Sequence, residues 1–166
     1  FEQLNAGEGD IVAFPLTITK VRKLSVNFTR AHFNTYQVLV QRKPKNWEKL
    51  TLEDLNSRLI RDVADLVGKK VHVIKGTSHE VRLRNLSDEL GGDISIQEDT
   101  LSMESESLIR KVALGEIELT VADHTMARIN EAYYPQLDIN TVLSLPQQVA
   151  WAVGKNSPEL EEVINL

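Results

Sequence analysis

The chain contains no cysteine. That excludes a disulfide framework, a thiolate nucleophile and any cysteine-based zinc site, and it suits any redox compartment. Long apolar runs are also missing: the longest, such as Ile11 to Phe14, are a few residues, far short of the roughly 20 that cross a bilayer. No internal repeat or low-complexity stretch occurs. Neither Gly-x-Ser-x-Gly nor the phosphate loop Gly-x4-Gly-Lys-Ser/Thr is found, and none of the four histidines falls in a His-Glu-x-x-His pattern. A surplus of positive charge is lacking too. Nineteen Lys and Arg against 24 Asp and Glu leave a formal charge of −5, which argues against a global nucleic-acid-binding surface and leaves room only for a local basic patch. The chain opens at Phe1 without a basic, apolar leader, so any targeting signal is expected to have been removed.

What is present reads as a folded protein of one compact domain or two small lobes: 166 residues, 42% hydrophobic and 26% charged. Asp10 to Phe14 is an apolar strand that Pro15 is expected to end. Lys23 to Phe28 alternates at strand period, and Tyr36 to Arg42 is rich in β-formers. Lys43 to Asn46 is a polar linker. Thr51, with acidic Asp54 three places on, starts a helix, and Leu52, Leu55, Leu59, Val63 and Leu66 extend it to Val67 before Gly68.

From Lys70 onward strands and helices alternate. Strands are expected at 71–74, 93–97, 117–122, 137–145 and 148–153, with helices at 79–90, 102–114 and 123–131 and a last one opened by Ser157-Pro-Glu. This alternation indicates an α/β fold with a doubly wound, mostly parallel sheet. Such sheets bind ligands beyond the carboxyl ends of strands and at helix N-termini. Two places qualify: the turn Gly76-Thr77-Ser78, and Ala122-Asp123. Thr77, Ser78 and Asp123 are residue types that cap helices as well as bind ligands, and the sequence leaves both uses open. The histidines, with Glu80 and Asp123, lack metal-ligand spacing and read as surface groups, so neither a metal nor a cofactor is expected. Glu104-Ser-Glu-Ser107 looks like the Glu-Ser pair of a glycosidase site. It falls in the polar first turn of a helix, however, where a general acid would not find the apolar cleft it needs.

Three stretches together resemble the extracellular solute-binding proteins of family 3. They are Gly9-Asp-Ile-Val-Ala-Phe-Pro-Leu-Thr-Ile-Thr-Lys-Val-Arg22 with Val26-Asn-Phe-Thr29, then Gly68-Lys-Lys-Val-His-Val-Ile-Lys-Gly-Thr-Ser78, then Leu114-Gly-Glu-Ile-Glu-Leu-Thr-Val-Ala-Asp123. The resemblance implies the periplasmic type II binding fold. Residues 43–146 would be one complete lobe, 1–42 a partial first lobe with the first hinge strand, and 147–166 the return segment. The first strand and helix of the family's first lobe would lie outside this chain, so that the chain alone would bind weakly or not at all.

The same resemblance assigns Arg22 to a ligand carboxylate, with Thr17 beside it, and Thr77, Ser78 and Asp123 to the rest of the ligand. A planar guanidinium fork suits a carboxylate, and an acid suits an ammonium. The run Gly76-Thr-Ser-His79 and the stretch from Ala132 to Gly154 are similar to sensor modules of lytic murein transglycosylases. That likeness implies a small-molecule ligand (an amino acid or a muropeptide), an attached lysozyme-like catalytic domain as partner, no catalysis by this chain, and a place in the periplasm or on the periplasmic face of the outer membrane. The competing reading is a small α/β enzyme using Asp123 and a histidine as acid and base.

Overall fold

The computed structural model describes residues 1–101 and 104–165. In chain order its elements are α1 (Glu2–Asn5), β1 (Ile11–Thr17), α2 (Lys20–Ser25), β2 (Val26–Phe28), β3 (Phe33–Thr35), β4 (Gln37–Arg42), α3 (Leu52–Ser57) and β5 (Lys70–Ile74). They continue with α4 (Ser78–Leu90), β6 (Ser95–Asp99), α5 (Ser105–Leu114), β7 (Leu119–Asp123), α6 (His124–Tyr133), β8 (Leu137–Val142), β9 (Gln147–Gly154) and α7 (Pro158–Ile164). Two 3-10 turns, Trp47–Lys49 and Val63–Leu66, flank α3. The chain divides into two compact units: Phe1–Thr35 with Pro146–Leu166, and Tyr36–Leu145. Residues 102 and 103, expected to begin the helix before Gly115, lie outside the described residues.

In the first unit β9 is the central strand, antiparallel to β1 on one side and to β2 and β3 on the other. Leu4, Val26 and Ala152 are buried there, with Val12, Leu16 and Phe28 packed on them. Two local expectations fail. The first strand does not stop at Pro15 but runs through it to Thr17. Its pairing slips between Val12, opposite Ala152, and Leu16, opposite Ala150, so the residue without an N–H falls where the ladder is interrupted. The alternation over Lys23 to Phe28 is not one strand either. Thr19 accepts a hydrogen bond from the Arg22 N–H at 3.2 Å and starts α2, leaving only Val26–Phe28 extended. Leu24 on that short helix is 80% exposed, so of the alternating apolar positions only Val26 and Phe28 pack inward.

The second unit holds a five-stranded sheet in the order β6-β5-β7-β4-β8. β5 is parallel to β6 and to β7, and β4 runs antiparallel to both its neighbours, β7 and β8. Four strands therefore share one direction, with β4 alone reversed. Helices cover both faces. Leu83 and Leu86 of α4 pack with Leu39, Val71, Val73 and Val121, while Ile109 and Val112 of α5 and Ala127 of α6 pack with Val38, Val40 and Ala122. Leu39 on one face and Val38 and Val40 on the other read the two-residue period of β4 directly. This is the doubly wound α/β arrangement that the strand–helix alternation predicts.

The expected helix from Thr51 to Val67 is corrected. Its start holds, since Thr51 accepts from the Asp54 N–H at 3.1 Å, but α3 ends at Ser57. Ile60 is gripped from the sheet: the Gln41 side chain accepts from its N–H and donates to its carbonyl, both at 2.9 Å, and Thr141 donates to the same carbonyl. Those bonds replace the helical ones at Ile60, and Leu52, counted as an inward position, is 75% exposed.

Gly115 ends α5 in the left-handed region, at φ 79°. A Cβ there would come within 2.5 Å of Arg42 Nη1. Gly115→Ala is expected to cost about 1 kcal/mol, chiefly from the backbone conformation, because the arginine end can move aside. Urea unfolding of the variant against the parent chain checks this.

Candidate ligand-binding site

Because β5 and β7 are parallel neighbours, with His72 opposite Thr120, their carboxyl ends finish at the same edge of the sheet. α4 starts just beyond one end and α6 just beyond the other. The turn between β5 and α4 uses Gly76 at φ 76°, and Thr77 then caps the helix. Its hydroxyl donates to the Ile74 carbonyl at 2.7 Å and accepts from the Glu80 N–H at 3.5 Å. Glu80 reaches back to accept from the Gly76 N–H at 2.7 Å. That backbone bond, and then the bonds from Arg84, hold its carboxyl below the ordinary glutamate range. Thr77 is thus both at the predicted site and occupied in building the turn, and Ser78 follows, half-buried, as the first residue of α4.

Asp123 is the last residue of β7 and stands at the N-cap position of α6, yet its side chain makes no capping bond. Its Oδ1 is buried and has no hydrogen-bond partner among the described residues, and the same is true of His79 Nε2. The two atoms face each other at 3.6 Å, beyond hydrogen-bond distance. His79 is 7% exposed, which corrects the expectation that the histidines are surface groups. It lies one residue inside the start of α4, where the helix turns it onto the neighbouring strand end.

Two further groups border Asp123. Gln37, fully buried, is its partner across the β4–β7 ladder. Tyr36 stacks on the His124 ring at 4.5 Å, and its carbonyl accepts from the His124 N–H at 2.8 Å. The sequence reading missed Tyr36, Gln37 and His79. Tyr36 immediately precedes the reversed strand and Gln37 opens it, and only the topology brings the start of β4 to the carboxyl ends of its neighbours.

In the first unit Thr17 and Arg22 are brought together. Arg22 Nη1 donates to the Thr17 carbonyl at 2.9 Å, which folds a half-buried guanidinium back over the end of β1, while Thr17 itself is buried. Thr77, Ser78 and Asp123 lie beyond or at the carboxyl ends of the parallel neighbours β5 and β7 in the second unit. Among the described residues no group of three or more His, Asp or Glu side chains is placed to hold a metal ion.

The profile of the bacterial extracellular solute-binding proteins, family 3, matches residues 1–165. The chain belongs to this family. Among curated relatives, the membrane-bound lytic murein transglycosylase F of Desulfosudis oleivorans is 31% identical over 166 residues, covering 99% of this chain. The chain spans only about a third of that relative's length (33%). Among solved structures, the holo arginine-binding protein of T. maritima matches with a TM-score of 0.76 at 27% identity, over 99% of this chain and 64% of that one. An ancestral arginine-binding protein bound to arginine gives a TM-score of 0.78 at 24% identity over 99% of this chain and 66% of that one, a likeness of fold alone. The family 3 chain is therefore an α/β solute-binding domain of the type II fold. No helix among its described residues is long and apolar enough to cross a membrane.

Proposed function

We propose that this family 3 domain is a sensor for an amino acid or a cell-wall peptide, and that its ligand regulates a peptidoglycan-cleaving lytic transglycosylase domain joined to it in the whole protein, on the periplasmic side of the envelope. The observation that carries this reading is the Asp123 carboxylate oxygen, buried without a hydrogen-bond donor beside an equally unpaired His79 nitrogen 3.6 Å away. A buried acceptor left unpaired costs about 1–3 kcal/mol, more when it is charged. Folding alone gives no reason to keep one at the end of a core strand, and a ligand ammonium supplies the missing donor.

Each unit, taken by itself, offers groups for a ligand. Arg22, oriented by the Thr17 carbonyl, takes the ligand carboxylate through its guanidinium. The start of α4 at Thr77 and Ser78 adds backbone N–H groups and the positive end of the helix dipole. The attached domain responds only as far as ligand affinity differs between its two functional states.

The competing enzyme reading finds in His79 the histidine it requires next to Asp123. Membership of a ligand-binding family favours the sensor. Calorimetry on the intact two-lobe module, titrated with the common amino acids and with muropeptides, tests it. Saturable binding that Arg22→Ala weakens is expected, and no heat above the buffer control for any of them would sink the reading.

A further inference from the structure

At the opposite end of the same sheet lies a second concave surface. A groove of about 350 Å³ opens where β4 ends and β7 begins. Its apolar lining includes Leu59, Ile117 and Leu119. Arg42, Arg58 and Lys69 line it as well, with Glu118 as the one acid. The four steps of β7 from Leu119 to Asp123, at about 3.3 Å each, set the groove roughly 13 Å along the sheet from the candidate ligand site.

Basic side chains outnumber acidic ones around this groove by three to one. Acids outnumber bases by 24 to 19 in the chain, and six bases of this unit, Arg61, Lys75, Arg82, Arg84, Lys111 and Arg128, have carboxylate partners, while others such as Lys70 and Arg110 have none among the described residues. Among the described residues Arg42, Arg58 and Lys69 have none. Arg42 also lies over Gly115, in the space that any larger residue would fill. The glycine that ends α5 thereby lets a guanidinium settle at the negative end of that helix, on the groove wall.

We propose that this groove is a second binding site, for a short peptide segment carrying carboxylates on an apolar stem. Arginine forks match carboxylates bidentately, and half-buried Ile117, with the small exposed edges of Leu59 and Leu119, meets the stem that a bare phosphate would lack. A site at this end of the sheet is separate from the Asp123 site, so it holds or fails independently of the sensor reading.

The test is an amide chemical-shift titration of the whole chain with acetyl-Glu-Leu-Glu-amide, with acetyl-Gln-Leu-Gln-amide and inorganic phosphate as parallel arms. Saturable shifts at Arg42, Arg58, Lys69, Gly115 and Glu118 are expected with the acidic peptide, at least tenfold tighter than with the neutral one. Raising the salt to 0.5 M should weaken the binding, and so should the double variant Arg42→Gln, Lys69→Gln, whose positions are exposed. The proposal is overturned by an absence of saturable shifts at those positions, by equal binding of the neutral peptide, or by phosphate binding as tightly as the acidic peptide. The wild-type arms and the salt series decide it even if the double variant does not fold.

Discussion

Replacing Asp123 with Asn should lower the affinity for the module's amino-acid or peptide ligand by about 30- to 1,000-fold while leaving the fold at least as stable as before. The first number follows from taking away one partner of a buried ammonium–carboxylate pair, about 2–4 kcal/mol. The second follows from the hydrogen bonding: Oδ1 has no donor, and Asp123 makes no cap on α6, so the substitution breaks no hydrogen bond and gives up only the 3.6 Å approach of His79 to a side chain that is 33% exposed. Stability and function would then move apart at one residue, as expected where a strained polar group is kept for a ligand. Calorimetry gives the first quantity and thermal unfolding of the unliganded variant the second. A variant that binds normally, or that unfolds several degrees lower, would mean that Asp123 is structural.

The second large effect is on stability. Arg61→Ala should destabilise the chain by about 3 kcal/mol, the lower end of the range for breaking a buried ion pair because the arginine is itself 29% exposed. Asp138 is 1% exposed on β8 and receives both arms of the Arg61 guanidinium, the Asn140 amide at 2.9 Å and the Gln41 amide at 3.3 Å. Burial pushes its carboxyl up, but the Arg61 fork and then Asn140 outweigh burial and hold it below the ordinary aspartate range. A depressed carboxyl contributes stability that is fully present above its unfolded-state pKa, near 3.9, and is lost as pH falls through the folded-state value. Without Arg61 the effect of burial remains, so Asp138 takes up a proton more readily in the variant. The gap between parent and variant should therefore be widest near neutral pH and narrow in acid, which urea unfolding at pH 7 and pH 4 would measure. An equal gap at both pH values would assign the loss to packing by the arginine stem instead.

The same cluster explains why the sequence reading of residues 51–67 went only half way. Thr51 and Asp54 mark a helix start by a bond between residues three apart, and that start is there. The helix stops after Ser57 because Gln41, Arg61, Thr141 and Asp138 tie the following segment to the sheet. Those partners are 19 to 81 residues apart along the chain, and no window of sequence contains them. Pro15 shows the converse: a residue that cannot donate is expected to end a strand, and β9 instead accommodates it with a slip in register.

At the candidate site the division falls between residues that make turns and residues that meet across the sheet. Thr77, Gly76 and the position of Asp123 after an apolar strand are all legible, because capping hydroxyls, left-handed glycines and strand ends are set by interactions within a few residues. The burial of His79, its approach to Asp123 and the presence of Tyr36 and Gln37 were decided only when β5, β7 and the reversed β4 lined up side by side. Local hydrogen bonding and the hydrophobic period determine which elements form. Which polar groups are then left facing each other in the dry interior depends on strand order, because the cost of burying them is set by neighbours that the chain supplies from far away.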